Sequence, residues 1–286
     1  MTDSLLSFSH NNFVTFSDPY CMDDFVKLHF KPIQLDSFDP LDFYHFLKDG
    51  LLERLIKSIY KKESQRGISF IDAGVYMGSF SIAASLICRQ NNFKHSIQAI
   101  EGLPNLIVPV QKNFDLYGVK DAILRNNVVG DQDGILVPIC ARKGFMIGAT
   151  ALNPGDKTDT EWETCEVESV SLASVVQQLQ EYSAIVKIDI EGNECKAFKS
   201  LLDTNLDRKS IVYIIEFTSW QINSIMSEGE NYGQFILNRF NVFNLSEWGN
   251  RNLNLESLRI STLSGLGDCL SHTDLLLVPL EFNLDF

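Results

Sequence analysis

The sequence predicts an α/β fold, a doubly wound parallel sheet with an N-terminal extension and a small β insertion. Apolar β-rich runs alternate with helical stretches from residue 68 onward, the pattern of strands joined by covering helices. Two runs, Ile185-Val-Lys-Ile-Asp-Ile190 and Ile211-Val-Tyr-Ile-Ile215, are nearly continuous in Val and Ile, which suits strands covered on both faces. The third observation locates the functional edge. Phe70-Ile-Asp-Ala-Gly-Val-Tyr-Met-Gly-Ser-Phe80 reads as a strand end, a glycine turn and a helix start, the arrangement that receives a nucleotide-like cofactor.

The elements follow in order. Residues 1–63 form an extension and a lead-in helix; residues 64–286 form the cofactor-binding domain. The first 45 residues are rich in aromatics without a clean period, among them Phe8, Phe13, Phe16, Tyr20 and Phe25. Two readings stay open for them: a lid over the acceptor pocket, or a flank covering the domain or a dimer contact. Leu51, Leu52, Leu55, Ile56 and Ile59 recur at helical spacing, so Lys48 to Glu63 is an amphipathic helix. Strands are predicted at Ile68–Asp72, Ser96–Glu101, Ala122–Arg125, Ala184–Asp189, Ile211–Phe217, Asn241–Leu245 and Asp274–Leu280. Helices are predicted at Ser79–Cys88, Ser174–Tyr182 and Ala197–Leu202. Ile135–Cys140 and Cys165–Val170 read as an inserted antiparallel pair, and Gly144 to Glu163 as a loop rich in Gly, Thr and Asp.

Composition narrows the function. A formal net charge of −13 argues against a broad nucleic-acid or anionic-membrane surface, which needs a basic footprint. The best local basic patch, Lys57-Ser-Ile-Tyr-Lys61-Lys62, reads as the solvated face of a helix. Six cysteines, Cys21, Cys88, Cys140, Cys165, Cys195 and Cys269, are scattered without a Cys-x-x-Cys pair. That spacing suits neither a disulfide framework nor a zinc site. Residues 1–30 lack the basic start and apolar core of a signal peptide, and no apolar run reaches membrane-spanning length. The expectation is a cytoplasmic protein with neither membrane nor nucleic-acid partners, and a homodimer is left open.

The glycine turn then separates cofactor classes. A dinucleotide site wants Gly-x-Gly-x-x-Gly, but here the second glycine position is Tyr76 and the third is Ser79, so a pyrophosphate would meet a phenol ring. No Gly-Lys-Ser/Thr follows, which excludes a P-loop. A cofactor without phosphates fits better, and S-adenosyl-L-methionine is the commonest. Gly74 and Gly78 permit the tight turn, Asp72 can pair with the cofactor's amino group, and the helix start suits its carboxylate. Glu101, ending the second strand, can accept both ribose hydroxyls. At Asn126-Asn127-Val128 an amide could meet the adenine edge.

Further along, Asp189 and Glu191 lie two apart in Val186-Lys-Ile-Asp-Ile-Glu-Gly-Asn-Glu194, so extended backbone sends both to one side. Two like charges in one cleft call for something positive between them, whether a sulfonium, a substrate amine or a divalent cation. Glu194 suits the start of the next helix. Glu216, ending a neighbouring strand, could join the two acids in a hard oxygen site for Mg²⁺, although no metal ligand is assigned. His272 is a further candidate proton acceptor.

These stretches resemble the FkbM family of S-adenosylmethionine-dependent methyltransferases, over roughly Ser69 to Pro279. Residues 70–80 look like the family's Val-Asp-Val-Gly-Ala-Asn-x-Gly opening, and Ala99-Ile-Glu-Gly-Leu-Pro-Asn105 is similar to its Phe-Glu-Pro-x-Pro block. Val186 to Glu194 is close to its Lys-Ile-Asp-Val-Glu-Gly-x-Glu signature. Asn126 to Gly134 echoes a weaker block. The departures are Val75-Tyr-Met77 for Ala-Asn-x and Gly102 for proline. The resemblance implies a class I methyltransferase, Rossmann-like, with seven strands of which the last is antiparallel. It implies cofactor contacts from Asp72, Gly74, Gly78 and Glu101, with Asp189 beside the transferring methyl. Tyr76, Ser79 and Asn127 complete the candidate cofactor set; Asp189, Glu191 and His272 form the candidate catalytic set.

The function expected is methyl transfer to a hydroxyl of a sugar or natural product, a small-molecule or glycan acceptor. The alternatives are methyl transfer to an amide or amine nitrogen of a small molecule or peptide, and a catalytically silent methyltransferase-fold binding protein.

Overall fold

The computed structural model describes residues 6–8, 14–16, 50–62, 66–120, 122–142, 162–179, 183–202, 210–245, 255–269, 273–282 and 284. Leu6–Phe8 and Val14–Phe16 pair as a short antiparallel ribbon. The remainder of the aromatic extension, the loop expected over Gly144 to Glu163 (residue 162 onward apart) and His272 lie outside the described residues.

The domain is built on a main mixed sheet and a smaller insertion sheet, whose strands we number together in chain order: β1 (Ile68–Ala73), β2 (His95–Glu101), β3 (Ala122–Asn126), β4 (Val128–Gly130), β5 (Leu136–Arg142), β6 (Trp162–Ser171), β7 (Ser183–Ile188), β8 (Ile211–Phe217), β9 (Phe240–Asn244), β10 (Arg259–Ile260) and β11 (Thr273–Pro279). The helices are α1 (Leu51–Lys62), α2 (Ser79–Gln90), α3 (Pro104–Tyr117), α4 (Leu172–Gln177), α5 (Glu194–Lys199), α6 (Tyr232–Arg239) and α7 (Leu263–Gly267). The main sheet runs β10-β9-β11-β8-β7-β1-β2-β3. Its β3-β2-β1-β7-β8 portion is parallel, and β11 enters antiparallel between β8 and β9. Strand order reverses at β1, which pairs with both β2 and β7, so the cleft opens beyond the carboxyl ends of β1 and β7.

Every residue of β1 and of β7 is buried, which accounts for their continuous apolar sequences. One apolar core lies between the sheet and α1, α2 and α3, through residues such as Ile56, Phe80 and Phe114. A second lies on the other face under α4, α5 and α6, through Val176, Phe198 and Phe235. The two helical layers make the fold doubly wound. On α1 the basic patch residue Lys57 pairs with Glu53 one turn back at 2.6 Å. Helix α3 begins with Pro104 in its first turn and ends at Gly118, whose φ of 67° is the left-handed cap glycine favours.

Besides adding helices α3 and α6, which the sequence pattern does not predict, the structure differs from expectation in three local ways. The main sheet has eight strands instead of seven, because the two-residue β10 adds to the free edge of β9. Helix α4 begins at Leu172, ahead of the predicted Ser174, since the Ser171 side chain accepts the Ser174 N–H and so caps the helix. The inserted pair, β5 with β6, gains a third strand: β4 runs parallel to the end of β6, Val129 opposite Val170. Asp133 secures that corner, accepting hydrogen bonds from the Ser171 N–H at 2.7 Å and the Ser174 hydroxyl at 2.5 Å.

Candidate active site at the β1 and β7 ends

The glycine turn is pinned from three sides. The Gly74 and Val75 N–H groups donate to the Ile100 carbonyl on β2 at 2.9 and 3.2 Å. The buried Asn113 on α3 donates to the Met77 carbonyl at 3.0 Å. Tyr76 takes a positive φ of 51°, and its N–H donates to Glu101 Oε2 at 2.8 Å. Val75, which stands where the family opening has Ala, and Met77 are buried in the core beneath the turn. Both glycines are dictated by their surroundings. Gly74 and Gly78 have φ values of 80° and 87°, and a Cβ would lie 1.7 Å from the Asp189 carbonyl oxygen or 2.8 Å from the Phe114 ring.

Asp72 is buried rather than open to the cleft. Its Oδ2 accepts the Ser81 hydroxyl at 2.6 Å and the Ser81 N–H at 3.2 Å, holding the first turn of α2. Burial pushes its carboxyl up to about 6, against the opposing pull of Lys187. Helix α2 starts at Ser79 with Gly78 in the cap position, and Asp72 takes up the Ser81 N–H of its first turn. The first amides of α2 and its positive dipole end suit a carboxylate.

Glu101 ends β2 as expected. Its Oε1 accepts the Leu103 N–H and its Oε2 the Tyr76 N–H, both at 2.8 Å. Burial dominates these bonds and raises the carboxyl to about 7. Burial, with the Glu101 charge beside it, also raises the Tyr76 phenol to about 12. Asn127 turns its amide nitrogen to the Glu168 carbonyl at 3.0 Å, so that donor binds the insertion sheet. Asn126 donates to the Glu101 and Gly102 carbonyls and thereby steadies the turn after Glu101.

At the carboxyl end of β7 the structure brings Asp189, Glu191 and Glu216 together. One carboxylate oxygen from each lies within 4.8 Å of the other two, a spacing that suits a hard cation. Burial, reinforced by Asp189 and Glu191, raises the Glu216 carboxyl well above the usual carboxylate range. Glu191 adopts φ 54°, followed by Gly192 at 96°, and a left-handed conformation costs a non-glycine residue about 1–2 kcal/mol. Glu194 holds this tight turn. Its Oε1 accepts the Ile190 and Gly192 N–H groups, both at 3.1 Å, and its Oε2 accepts the Gln221 amide at 2.9 Å.

Lys187 lies in the Val186–Glu194 segment, two residues before Asp189. Its ammonium lies 3.0 Å from Asp189 Oδ2, 3.4 Å from the Gly74 carbonyl and 3.9 Å from Asp72 Oδ1. Burial alone would lower its pKa, but Asp189 and Asp72 outweigh it and hold the ammonium above the ordinary lysine value. The positive charge expected between acids is therefore supplied, for Asp189, by the chain itself. A lysine inside an otherwise apolar strand is the signal the sequence offers for it. Asn113 and Gln221 carry none, because they arrive from distant elements.

A sequence model described as the Methyltransferase FkbM domain matches residues 72–256, which spans the turn, Glu101 and the Asp189 segment. The chain belongs to the FkbM methyltransferase family. The start of α2 and the Glu101 carboxyl at the end of β2 place donor and acceptor groups beside the turn. No curated protein sequence matches the chain. Among solved structures, a putative class I S-adenosylmethionine-dependent methyltransferase from Listeria monocytogenes is similar at 10% identity and a TM-score of 0.40, over 93% of this chain and 68% of that one. A ribosomal protein L11 methylase from Lactobacillus delbrueckii subsp. bulgaricus is similar at 13% identity and TM-score 0.38, over 79% and 76%. An rRNA methylase from Streptococcus thermophilus is similar at 9% identity and TM-score 0.37, over 85% and 98%. Among the described residues, no helix of this FkbM-family chain is long and apolar enough to cross a membrane.

Proposed function

We propose that this FkbM-family methyltransferase methylates a hydroxyl oxygen on a small-molecule or glycan acceptor. The observation that carries the reading is the placement of Asp189 and Glu191. The Asp189 carbonyl packs against Gly74 of the cofactor turn, while the Asp189 side chain keeps 24% of its surface exposed. S-adenosylmethionine, when bound, supplies a methyl group made electrophilic by the sulfonium.

The chain's own residues bind, orient and remove a proton. The first amides of α2 receive a carboxylate and the Glu101 carboxyl accepts ribose hydroxyls, which fixes one reactant against the turn. Such alignment accounts for about 7–11 kcal/mol in well-oriented reactions. Asp189 or Glu191 accepts the acceptor's hydroxyl proton as the new bond forms, a contribution of about 10²–10⁴-fold. A hydroxyl needs that assistance, and partly exposed carboxylates beside the turn supply it.

The test pairs binding with turnover. Asp189→Asn and Glu191→Gln should bind S-adenosylmethionine with affinity near that of the parent in calorimetry, yet lose about 10²–10⁴-fold in turnover. Acceptors would be found by mass spectrometry after incubation with labelled cofactor. Unchanged turnover in both variants rejects the assignment, label on nitrogen favours the amide or amine reading, and an absence of cofactor binding favours the silent binding protein.

A further inference from the structure

We propose that Lys187 is a positioning residue, a buried strut that fixes the Asp189 carboxylate and ties it to the cofactor turn. The inference rests on the reading of Asp189 as a carboxylate of the transfer site.

Three features of the packing carry it. Lys187 lies opposite Asp72 in the parallel register of β1 and β7, and two residues before Asp189 on the same strand face. Among the described residues it is the one buried cation, and it reaches oxygens of three functional pieces: the Asp189 side chain, the Gly74 backbone and the Asp72 side chain. An ammonium has three donors and no acceptor, so it can link several oxygens at once. Burying it is unfavourable unless those oxygens compensate.

The distances decide between two roles for this cation. If Lys187 served only to neutralise the buried Asp72, its closest contact would be with that carboxyl. Instead it approaches Asp189 at 3.0 Å and Asp72 at 3.9 Å. The short contact goes to the acid that reaches the cleft. With Oδ2 engaged, Asp189 loses rotational freedom and presents a defined carboxylate orientation. The contact with the Gly74 carbonyl makes that orientation depend on the turn where the cofactor binds, so β1 and β7 move as one unit.

A double-mutant cycle tests this. Lys187→Met, Asp189→Asn and the double variant are assayed for kcat, KM for the acceptor and S-adenosylmethionine affinity. Lys187→Met should lower kcat about 10-fold or more with acceptor KM changed less than about 3-fold, and should have little further effect in the Asp189→Asn background. Because Lys187→Met leaves the buried Asp72 carboxylate uncompensated, Asp72→Asn/Lys187→Met, which removes one charge of each sign, is measured against Asp72→Asn. Equal kcat within that pair overturns the proposal, as does a loss from Lys187→Met that is the same in the parent and in the Asp189→Asn background. A full-activity Asp189→Asn variant would instead remove the reading of Asp189 on which the proposal rests.

Discussion

A methyl group on Gly74 would lie 1.7 Å from the main-chain carbonyl oxygen of Asp189. The turn after β1 and the end of β7 therefore touch backbone to backbone, and the Asp189 N–H reinforces this by donating to the Ala73 carbonyl at 3.0 Å. Gly74 is a glycine because it must adopt φ 80° and because no side-chain atom fits beside that carbonyl.

Gly74→Ala should accordingly separate the two loops. We expect a stability loss of about 3 kcal/mol or more, from left-handed strain and a backbone clash together, with S-adenosylmethionine binding abolished. Urea denaturation and calorimetry measure the two effects. A variant within about 1 kcal/mol of the parent would contradict so close an approach.

Stability should fall as pH rises through the slightly acidic range. Glu101 is raised from 4.5 to about 7 and Asp72 from 3.8 to about 6, each chiefly by burial. A carboxyl with a raised folded-state pKa binds its proton more tightly folded than unfolded. Its stabilising contribution is therefore complete below the unfolded value and lost as pH climbs through the folded one. Each group should cost up to about 3 kcal/mol over its window, from 1.36 kcal/mol per pKa unit. Glu101→Gln should flatten the decline between about pH 4.5 and 7, measured by chemical denaturation along a pH series; an unaltered slope would show that Glu101 is not its source.

Glu194 should matter to activity although it faces no cleft. Glu194→Ala removes the acceptor for the Ile190 and Gly192 N–H groups and for the Gln221 amide. Losing a hydrogen bond to a charged group costs about 1.5–3 kcal/mol, and the turn that holds Glu191 in its left-handed conformation should loosen. Hydrogen exchange should accelerate at residues 190–193 and kcat should fall. Gln221→Ala should show the same signs more weakly, since it removes one of three bonds. Protected amides in Glu194→Ala would refute the clamp.

Much of the site is legible without coordinates. The β1–turn–α2 unit, Glu101 at its strand end and the Asp189 segment are each encoded within about ten consecutive residues, by hydrophobic period and turn chemistry. The local misses have local reasons: α4 starts earlier than its period suggests because its Ser171 cap lies within a strand, and two-residue β10 is too short to show a period. The partners of the site residues are a different matter. Asp72 reads as a cofactor contact, yet its Oδ2 is turned to Ser81. Asn127 reads as an adenine contact, yet its amide nitrogen is held by Glu168, 41 positions away.

The sequence by itself determined the alternation that folds as a doubly wound sheet, the end of the sheet at which the candidate site lies, and the acids that gather there. Those depend on neighbours along the chain, and periodicity records them. Tertiary structure alone decided that Lys187 carries the counter-charge, that the turn glycines answer to Asp189 and Phe114, and that Asn113 and Gln221 steady the two loops. Each of those choices depends on strand register and helix packing between residues far apart in the chain, and contacts of that kind leave no periodic trace.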